Sequence, residues 1–432
     1  MERVLIKNGR IIDPASSRDG IADLLLEGGK IAAIGDNMSV DGAEVIDATG
    51  CIVTPGFIDI HTHLRQPGLE YKEDIASGTR AAARGGYTAV VSMANTDPVI
   101  DDEAGVHLIS GVAEREGVVR VYPMGSVTRG QKGKDITEMG IMIEAGARAF
   151  SDDGHPIASG KMMQLALQYS GMFGVPVCVH EEDPSLSASG VVNWGRISTI
   201  MGLPGIPSAA ESAMVARDLE VCRMVGGHLH IAHVSAARSI EMIRQAKAEG
   251  LHVTCEVTPH HLTLTEDLVR ESEYDTNTKV NPPLRTEEDR QILVDALNEG
   301  VIDAIATDHA PHGFDDKDQE YLYAEFGISG LETAFSLLHD RLVMRGEITL
   351  GRLIEALTWA PASIFKLPGG TLGDGQPADI AILRTDRERA VNPADFASKG
   401  RNTPLVGWSL TGSVETVLVG GKTVLRDGAL TC

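Results

Sequence analysis

Hydrophobic and polar positions change rhythm twice along the chain. Over residues 1–54, short apolar runs such as Val4-Leu5-Ile6, Ile11-Ile12 and Leu24-Leu25-Leu26 alternate with glycine- and asparagine-containing turns. That is the pattern of hairpin-linked strands. The end of the chain repeats it, at residues 379–383, 414–419 and 422–425, the last two separated by Gly420-Gly421. Neither end has enough strands to bury a core alone, so the two are expected to pair into one small β-sandwich.

Between them the pattern becomes strand, helix, strand. Strands are predicted at 57–60, 88–92, 119–122, 147–150, 175–179, 229–232, 252–257 and 302–306, with helices at 74–83, 211–224 and 237–248 among those separating them. Eight such alternations predict an α/β fold, a (β/α)8 TIM-type barrel, with its chemistry on the loops after the strands. The expected division is 1–54 and 366–432 for the sandwich and 55–365 for the barrel.

Composition narrows the class. A formal charge of −23 over 432 residues argues against nucleic acid or an anionic membrane as partner. No stretch approaches the ~20 apolar residues of a membrane helix, and Met1-Glu2-Arg3 has no signal-peptide pattern. Five scattered cysteines without a C-x-x-C pair are expected to be reduced thiols in a cytoplasmic protein. Cys178 is read as a packing residue despite its nearness to His180.

The polar residues that stop the barrel strands carry the chemistry. His61 and His63 follow the first strand, Asn95 the second, Asp152 and Asp153 the fourth, His180 the fifth, His233 the sixth, and Asp308 and His312 the eighth. Residues two apart in a strand share a side, so the His61-x-His63 pair can grip one cation. Four histidines and two aspartates suit two zinc ions with a carboxylate between them. Two adjacent cations make hydroxide available near neutrality, and a carboxylate such as Asp308 can carry the proton. Asp152 and Asp153 are not separable by chemistry. Arg65 either recognises a substrate carboxylate or forms a structural Arg–Asp pair. His228 and His230 read as structural, His260 and His261 as supporting or surface groups, and His155 as loop surface. The segment 312–324 reads as a mobile loop over the mouth.

The segments 59–68, 93–98, 281–285 and 306–312 (DIHTHLRQPG, MANTDP, NPPLR and ATDHAPH) together resemble dihydroorotases. The likeness is to the larger bacterial type of the amidohydrolase superfamily, from the first strand to the last and over both ends. It implies reversible hydrolysis of the cyclic amide of L-dihydroorotate to N-carbamoyl-L-aspartate in pyrimidine synthesis. By resemblance, His61, His63 and Asp308 hold one metal, His180 and His233 a second, and Asp153 bridges them, with one or two zinc ions bound. It also implies that Asp308 shuttles the proton, that Arg65, Asn95 and His312 hold the substrate carboxylate, and that Asn281 contacts the ring. Gln66 and Ala94 depart from the usual Glu and Pro without removing a ligand. Allantoinase, dihydropyrimidinase and a non-catalytic subunit scaffolding aspartate transcarbamoylase are the rival readings. Homodimerisation and association with an active transcarbamoylase stay open.

Overall fold

The two chain ends share one hydrogen-bonded layer. The structure, a computed structural model, describes residues 3–431. Met1, Glu2 and Cys432, which the sequence reading counted among the terminal segments and the thiols, lie outside the described residues. The strand Ile52–Pro55 runs antiparallel to Ile380–Ala390, with Ile380 opposite Pro55 and Leu383 opposite Ile52. That pairing joins Arg3–Asp13, Arg18–Glu27 and Lys30–Gly35 from the beginning of the chain to Ser409–Val419 and Lys422–Arg426 from its end. Alternation then sorts the side chains. Val4, Ile6, Ile11, Leu24, Ile380 and Ile382 close a core of their own, while Ile12, Ile52, Ala381, Leu383 and Val417 belong to the main core of the barrel. The sandwich is therefore seated on the barrel by apolar burial.

The barrel is a ring of parallel strands. Phe57–Thr62, Tyr87–Ser92 and Arg120–Pro123 pair in order, as do Val177–Val179, Leu229–Ile231, Val253–Val257 and Ala304–Ile305. The strand expected at 147–150 is reduced to single bridges from Phe150 to Gly125 and Val177. Ala147 N–H is taken by Met142 O at the end of the helix Met139–Ala145, so the chain leaves that helix with little room for a ladder. The ring still closes, because Arg148 N bonds Pro123 O and Cys178 N bonds Phe150 O. At the other seam Thr62 bridges His309, and His63 N bonds His309 O at 2.9 Å.

Helices cover the outside, as the periodicity predicts. Ile75–Arg84, Ser208–Val225 and Ala237–Ala248 are formed, the first capped by the Asp74 carboxylate on Ser77 N. The barrel interior is filled by small and branched residues including Ile58, Ile60, Ala89, Val91, Ala304 and Ala306. Cys178 lies among them as a packing residue. Phe365, from the helix Trp359–Phe365, plugs the far end. Among the described residues, no helix is long and apolar enough to cross a membrane.

Two loops at the C-terminal face are knitted together at Gly68. Its φ is +90°, and a Cβ there would sit 1.9 Å from Asp97 O; Asp97 N also bonds Pro67 O. We expect Gly68→Ala to separate the loops carrying Arg65 and Asn95 and to cost about 1–3 kcal/mol or more. Calorimetry should show a lower Tm; an unchanged Tm would mean that the backbone yields without strain.

Candidate active site

The strand Phe57–Thr62 does not alternate cleanly to its end. Its register against Tyr87–Ser92 shifts between Asp59 and Thr62, so Ile58 and Ile60 face the barrel interior and His61 nevertheless turns towards the axis. Beyond it, Arg65, His233 and Asp308 have φ of 62°, 32° and 48°. Three left-handed non-glycine residues among the expected site residues are a strained backbone that surrounding contacts must hold.

The six expected ligands converge. The Asp153 carboxylate divides its two oxygens between two pairs of histidines. Oδ2 lies 3.6 Å from His61 Nε2 and 3.5 Å from His63 Nε2. Oδ1 lies 3.4 Å from His233 Nε2 and 3.7 Å from His180 Nδ1. Asp308 Oδ1 faces the first pair, 3.0 Å from His63 and 3.6 Å from His61. All six residues are buried. The neighbouring Asp152 points away, accepting from Val127 N and Thr128 N, so the structure separates the two aspartates.

This arrangement needs a cation. His61 Nε2 is buried with no hydrogen-bond partner, facing two carboxylates. Burial opposes its charged form, yet Asp153 and Glu256 raise its pKa well above the usual histidine range. Burial likewise opposes ionisation of Asp153, and the histidines hold it well below the carboxylate range. Lone pairs of imidazole and carboxylate aimed at common points are the donor set of a metal site. His61, His63 and Asp308 form one such group, and His61, Asp153 and His233 another.

The histidine tautomers are set by Asn95 and by two carboxylates, Glu256 and Glu182, that the sequence reading did not single out. His61 Nδ1 donates to Glu256 Oε1 at 2.7 Å, so Nε2 is the nitrogen presented to the site and to a cation bound there. Asn95 Oδ1 does the same for His63 Nδ1, at 2.9 Å; this amide thus holds a histidine as well as facing the cavity. Glu182 Oε2 is 2.9 Å from His180 Nε2 and accepts from Asn281 Nδ2 at 2.6 Å. Burial opposes its charge, but His180 brings Glu182 down to about 2. The signal for Glu256 was present: a lone carboxylate inside the apolar run 253–257.

Arg65 makes no ion pair with a carboxylate within 4.0 Å among the described residues, which removes the structural Arg–Asp alternative. Its Nε donates to Pro311 O, and its Nη2 lies 3.3 Å from His312 Nε2. That nitrogen is 2.8 Å from Phe326 O, and a carbonyl only accepts, so His312 Nε2 carries a proton and cannot accept from Arg65. Two donors therefore face each other, and neither satisfies the other. Lys72 Nζ lies 3.3 Å from His312 Nδ1 and pairs with Asp316 Oδ2 at 3.4 Å. Burial, with Arg65, Lys72 and Lys317, pushes His312 to about 2, so the ring stays neutral.

The other histidines fall as follows. His155 is exposed, and His260 and His261 are buried rather than surface groups. His261 Nε2 donates to Pro282 O beside Asn281. The segment 312–324 is anchored: Lys317 is buried, its ammonium on Glu325 O and Gly327 O, and Tyr321 is buried too.

A strand-end cluster of four histidines and two aspartates on a parallel barrel, with a sheet from both termini, defines an amidohydrolase-type enzyme. The whole chain superimposes on L-hydantoinase (dihydropyrimidinase) from Arthrobacter aurescens with a TM-score of 0.90 at 27% identity, over 98% of that chain. A family described as Dihydro-orotase-like matches residues 50–239. The chain is 49% identical over 425 residues to the dihydroorotase of Pelotomaculum thermopropionicum, covering 98% of this chain and 99% of that one. It is 50% identical over 420 residues to that of Thermoanaerobacter sp. (strain X514), covering 97% and 96%. The chain belongs to the dihydroorotase family.

Replacing Asp153 by Asn removes the charge shared by both histidine pairs. We expect the purified variant to retain at least one equivalent less divalent metal than the parent, counted by atomic emission after loading and desalting. Equal metal content would exclude Asp153 as a ligand.

Proposed function

We propose that this protein catalyses the reversible hydrolysis of the cyclic amide of L-dihydroorotate to N-carbamoyl-L-aspartate, in the cytoplasm. The observation that carries this reading is the pairing of two features. One is a carboxylate divided between two histidine pairs; the other is a guanidinium, Arg65, without a carboxylate partner beside a neutral His312. The donor set of imidazole and carboxylate fits zinc, one or two ions, with His61, His63 and Asp308 on one side, His180 and His233 on the other, and Asp153 between. Bound there, zinc would acidify water and polarise a carbonyl.

The chain's own groups do the rest. Arg65, Asn95 and His312 hold the substrate carboxylate, and Asn281, tied to Glu182, meets the ring. Asp308 begins ionised: burial opposes its charge, but His63, His61 and His233 hold it below the carboxylate range. It takes the proton of the attacking water as the new C–O bond forms. It then delivers that proton to the ring nitrogen as the C–N bond breaks, so no net proton is gained or lost at the side chain. In the reverse direction the same carboxylate removes the proton from nitrogen and the ring closes.

The hydantoinase likeness raises the reading of a cyclic amidohydrolase for uncharged rings. Arg65 argues against it, because a buried cation needs an anion. A scaffold subunit is disfavoured because all six ligand positions are filled. A homodimer or association with aspartate transcarbamoylase is compatible with the reading. Free thiols at Cys51, Cys178, Cys222 and Cys255 fit a reducing compartment. The division at 54/55 and 365/366 into sandwich and barrel is likewise our proposal.

The test is ring opening of L-dihydroorotate, allantoin and dihydrouracil by zinc-loaded protein. Turnover confined to dihydroorotate and abolished in Asp308→Ala is expected. In Arg65→Met, loss of a buried charge contact worth about 2–5 kcal/mol should raise KM for dihydroorotate by roughly 30-fold or more. Equal kinetics of that variant and the parent would defeat the carboxylate assignment, and turnover of dihydrouracil alone would replace it with the hydantoinase reading.

A further inference from the structure

The barrel interior contains a polar chain that the reaction does not use. His228, His230, Thr254 and Glu256 lie on two neighbouring strands, with His230 opposite Thr254 in the register. Leu229, Ile231, Cys255 and Val257 face the outer core, so alternation turns His230, Thr254 and Glu256 inward. Thr254 Oγ1 is 2.8 Å from His228 Nε2 and 2.8 Å from His230 Nδ1. His230 Nε2 is 3.1 Å from Glu256 Oε2, and Glu256 Oε1 is 2.7 Å from His61 Nδ1. The contacts are continuous from the N-terminal end of the strand Leu229–Ile231 to the site at the opposite face. There His228 lines a cleft of about 500 Å³ with Lys366 and His252, and its ring stacks on His252 with centroids 4.0 Å apart.

Hydrogen-bond chemistry gives this chain a direction. A carboxylate oxygen accepts, and each Glu256 oxygen lies against one ring nitrogen, Oε2 against His230 Nε2 and Oε1 against His61 Nδ1. Both rings therefore present N–H to it. The other nitrogen of His230, Nδ1, then takes the Thr254 hydroxyl hydrogen. The Thr254 oxygen then accepts from His228 Nε2–H. Burial, with His252 and His230 alongside, pushes His228 to about 3, so that ring carries the single proton this requires. Each link fixes the next, and the last one leaves His61 Nε2 bare toward Asp153 and Asp308.

We propose that Thr254 and His230 are positioning residues for the metal centre. They lock Glu256, and through it the tautomer and ring orientation of His61, from the interior of the barrel. The proposal rests on the reading of His61 as a metal ligand. His63 receives the same service from a single amide, Asn95; His61 receives it from a chain three residues deep. Partners of this kind are worth roughly 10–100-fold in metal affinity when they touch the ligand. Thr254, three contacts removed from His61, should sit at or below the low end of that range.

The experiment is a competition titration of zinc against a chromophoric chelator, on apoprotein of the parent and of Thr254→Val, Thr254→Ser, His230→Gln and His61→Ala, with the Tm of each apoprotein. Val preserves the shape of Thr254 and removes its hydroxyl; Ser keeps the hydroxyl. The proposal expects roughly tenfold weaker zinc binding in Thr254→Val, parental binding in Thr254→Ser, and weakening in His230→Gln, where the bond to Thr254 is lost. Parental affinity in both Thr254→Val and His230→Gln, beside weakened binding in His61→Ala, would overturn the relay and leave the metal centre standing. A lower apoprotein Tm in Thr254→Val at unchanged affinity would overturn it too, assigning Thr254 to stability alone. Parental zinc binding in His61→Ala would remove the metal-ligand reading itself, and the relay with it.

Discussion

The seam between the first and last barrel strands is the constraint on which the rest depends. There Asp59, fully buried, accepts from Thr307 N, Thr307 Oγ1 and His61 N. Burial raises the Asp59 carboxyl to about 7 against these bonds. Thr62 and His309 bridge one step further on. Closing the ring at this point brings His61 and His63 within reach of Asp308, residues separated by most of the barrel in sequence. A small slip at the seam would take the aspartate away from both imidazoles. The left-handed backbone at Asp308 and Arg65 is tolerable because these surrounding bonds over-determine it.

Charge is arranged outward from that seam in layers. The centre holds two carboxylates and four imidazoles whose lone pairs are the donor set of a metal site. Around it stand groups that fix proton positions: Glu256 for His61, Asn95 for His63, Glu182 beside His180. Beyond them, on the side of the loops after strands one and eight, the Arg65 guanidinium stands without a carboxylate within 4.0 Å, whereas Lys72 pairs with Asp316 at 3.4 Å and burial brings the Lys317 ammonium down to about 7. A substrate with one carboxylate and one amide to be opened matches this gradient from cationic pocket to anionic ligand cluster. The barrel supplies the geometry, but the asymmetry of charge selects the chemistry.

Residues 395–402 show that the division into sandwich and barrel is not a division of labour. Ser398 Oγ bonds Glu73, which also meets His309 Nε2 at 3.3 Å. Asn402 Oδ1 accepts from His312 N at 3.0 Å, while its Nδ2 donates to Ala310 O and Gly327 O. A stretch far along the chain thereby holds the loop that carries Asp308 and His312. Nothing in its composition marks it, since its partners, main-chain atoms and the Glu73 carboxylate, come within reach only after folding.

Local pattern by itself determined much: alternation and period marked the pairing ends and most of the barrel strands, and strand-end polarity marked the ligand candidates. Those signals are local, because a strand must hide alternate residues and a metal needs donors of known type. Tertiary structure alone decided the matters that depend on a meeting of distant segments. It turned Asp153, which chemistry left level with Asp152 and only the family resemblance preferred, into the cluster, because the backbone after Gly125 claims the other carboxylate. It reversed alternation at His61 through a register shift, and it reduced the fourth strand to Phe150, since the preceding helix ends too close to it. It left Arg65 without a carboxylate partner and turned two unremarkable histidines into a chain reaching His61. Hydrogen-bond polarity is a property of partners, and partners are assigned only when the barrel closes.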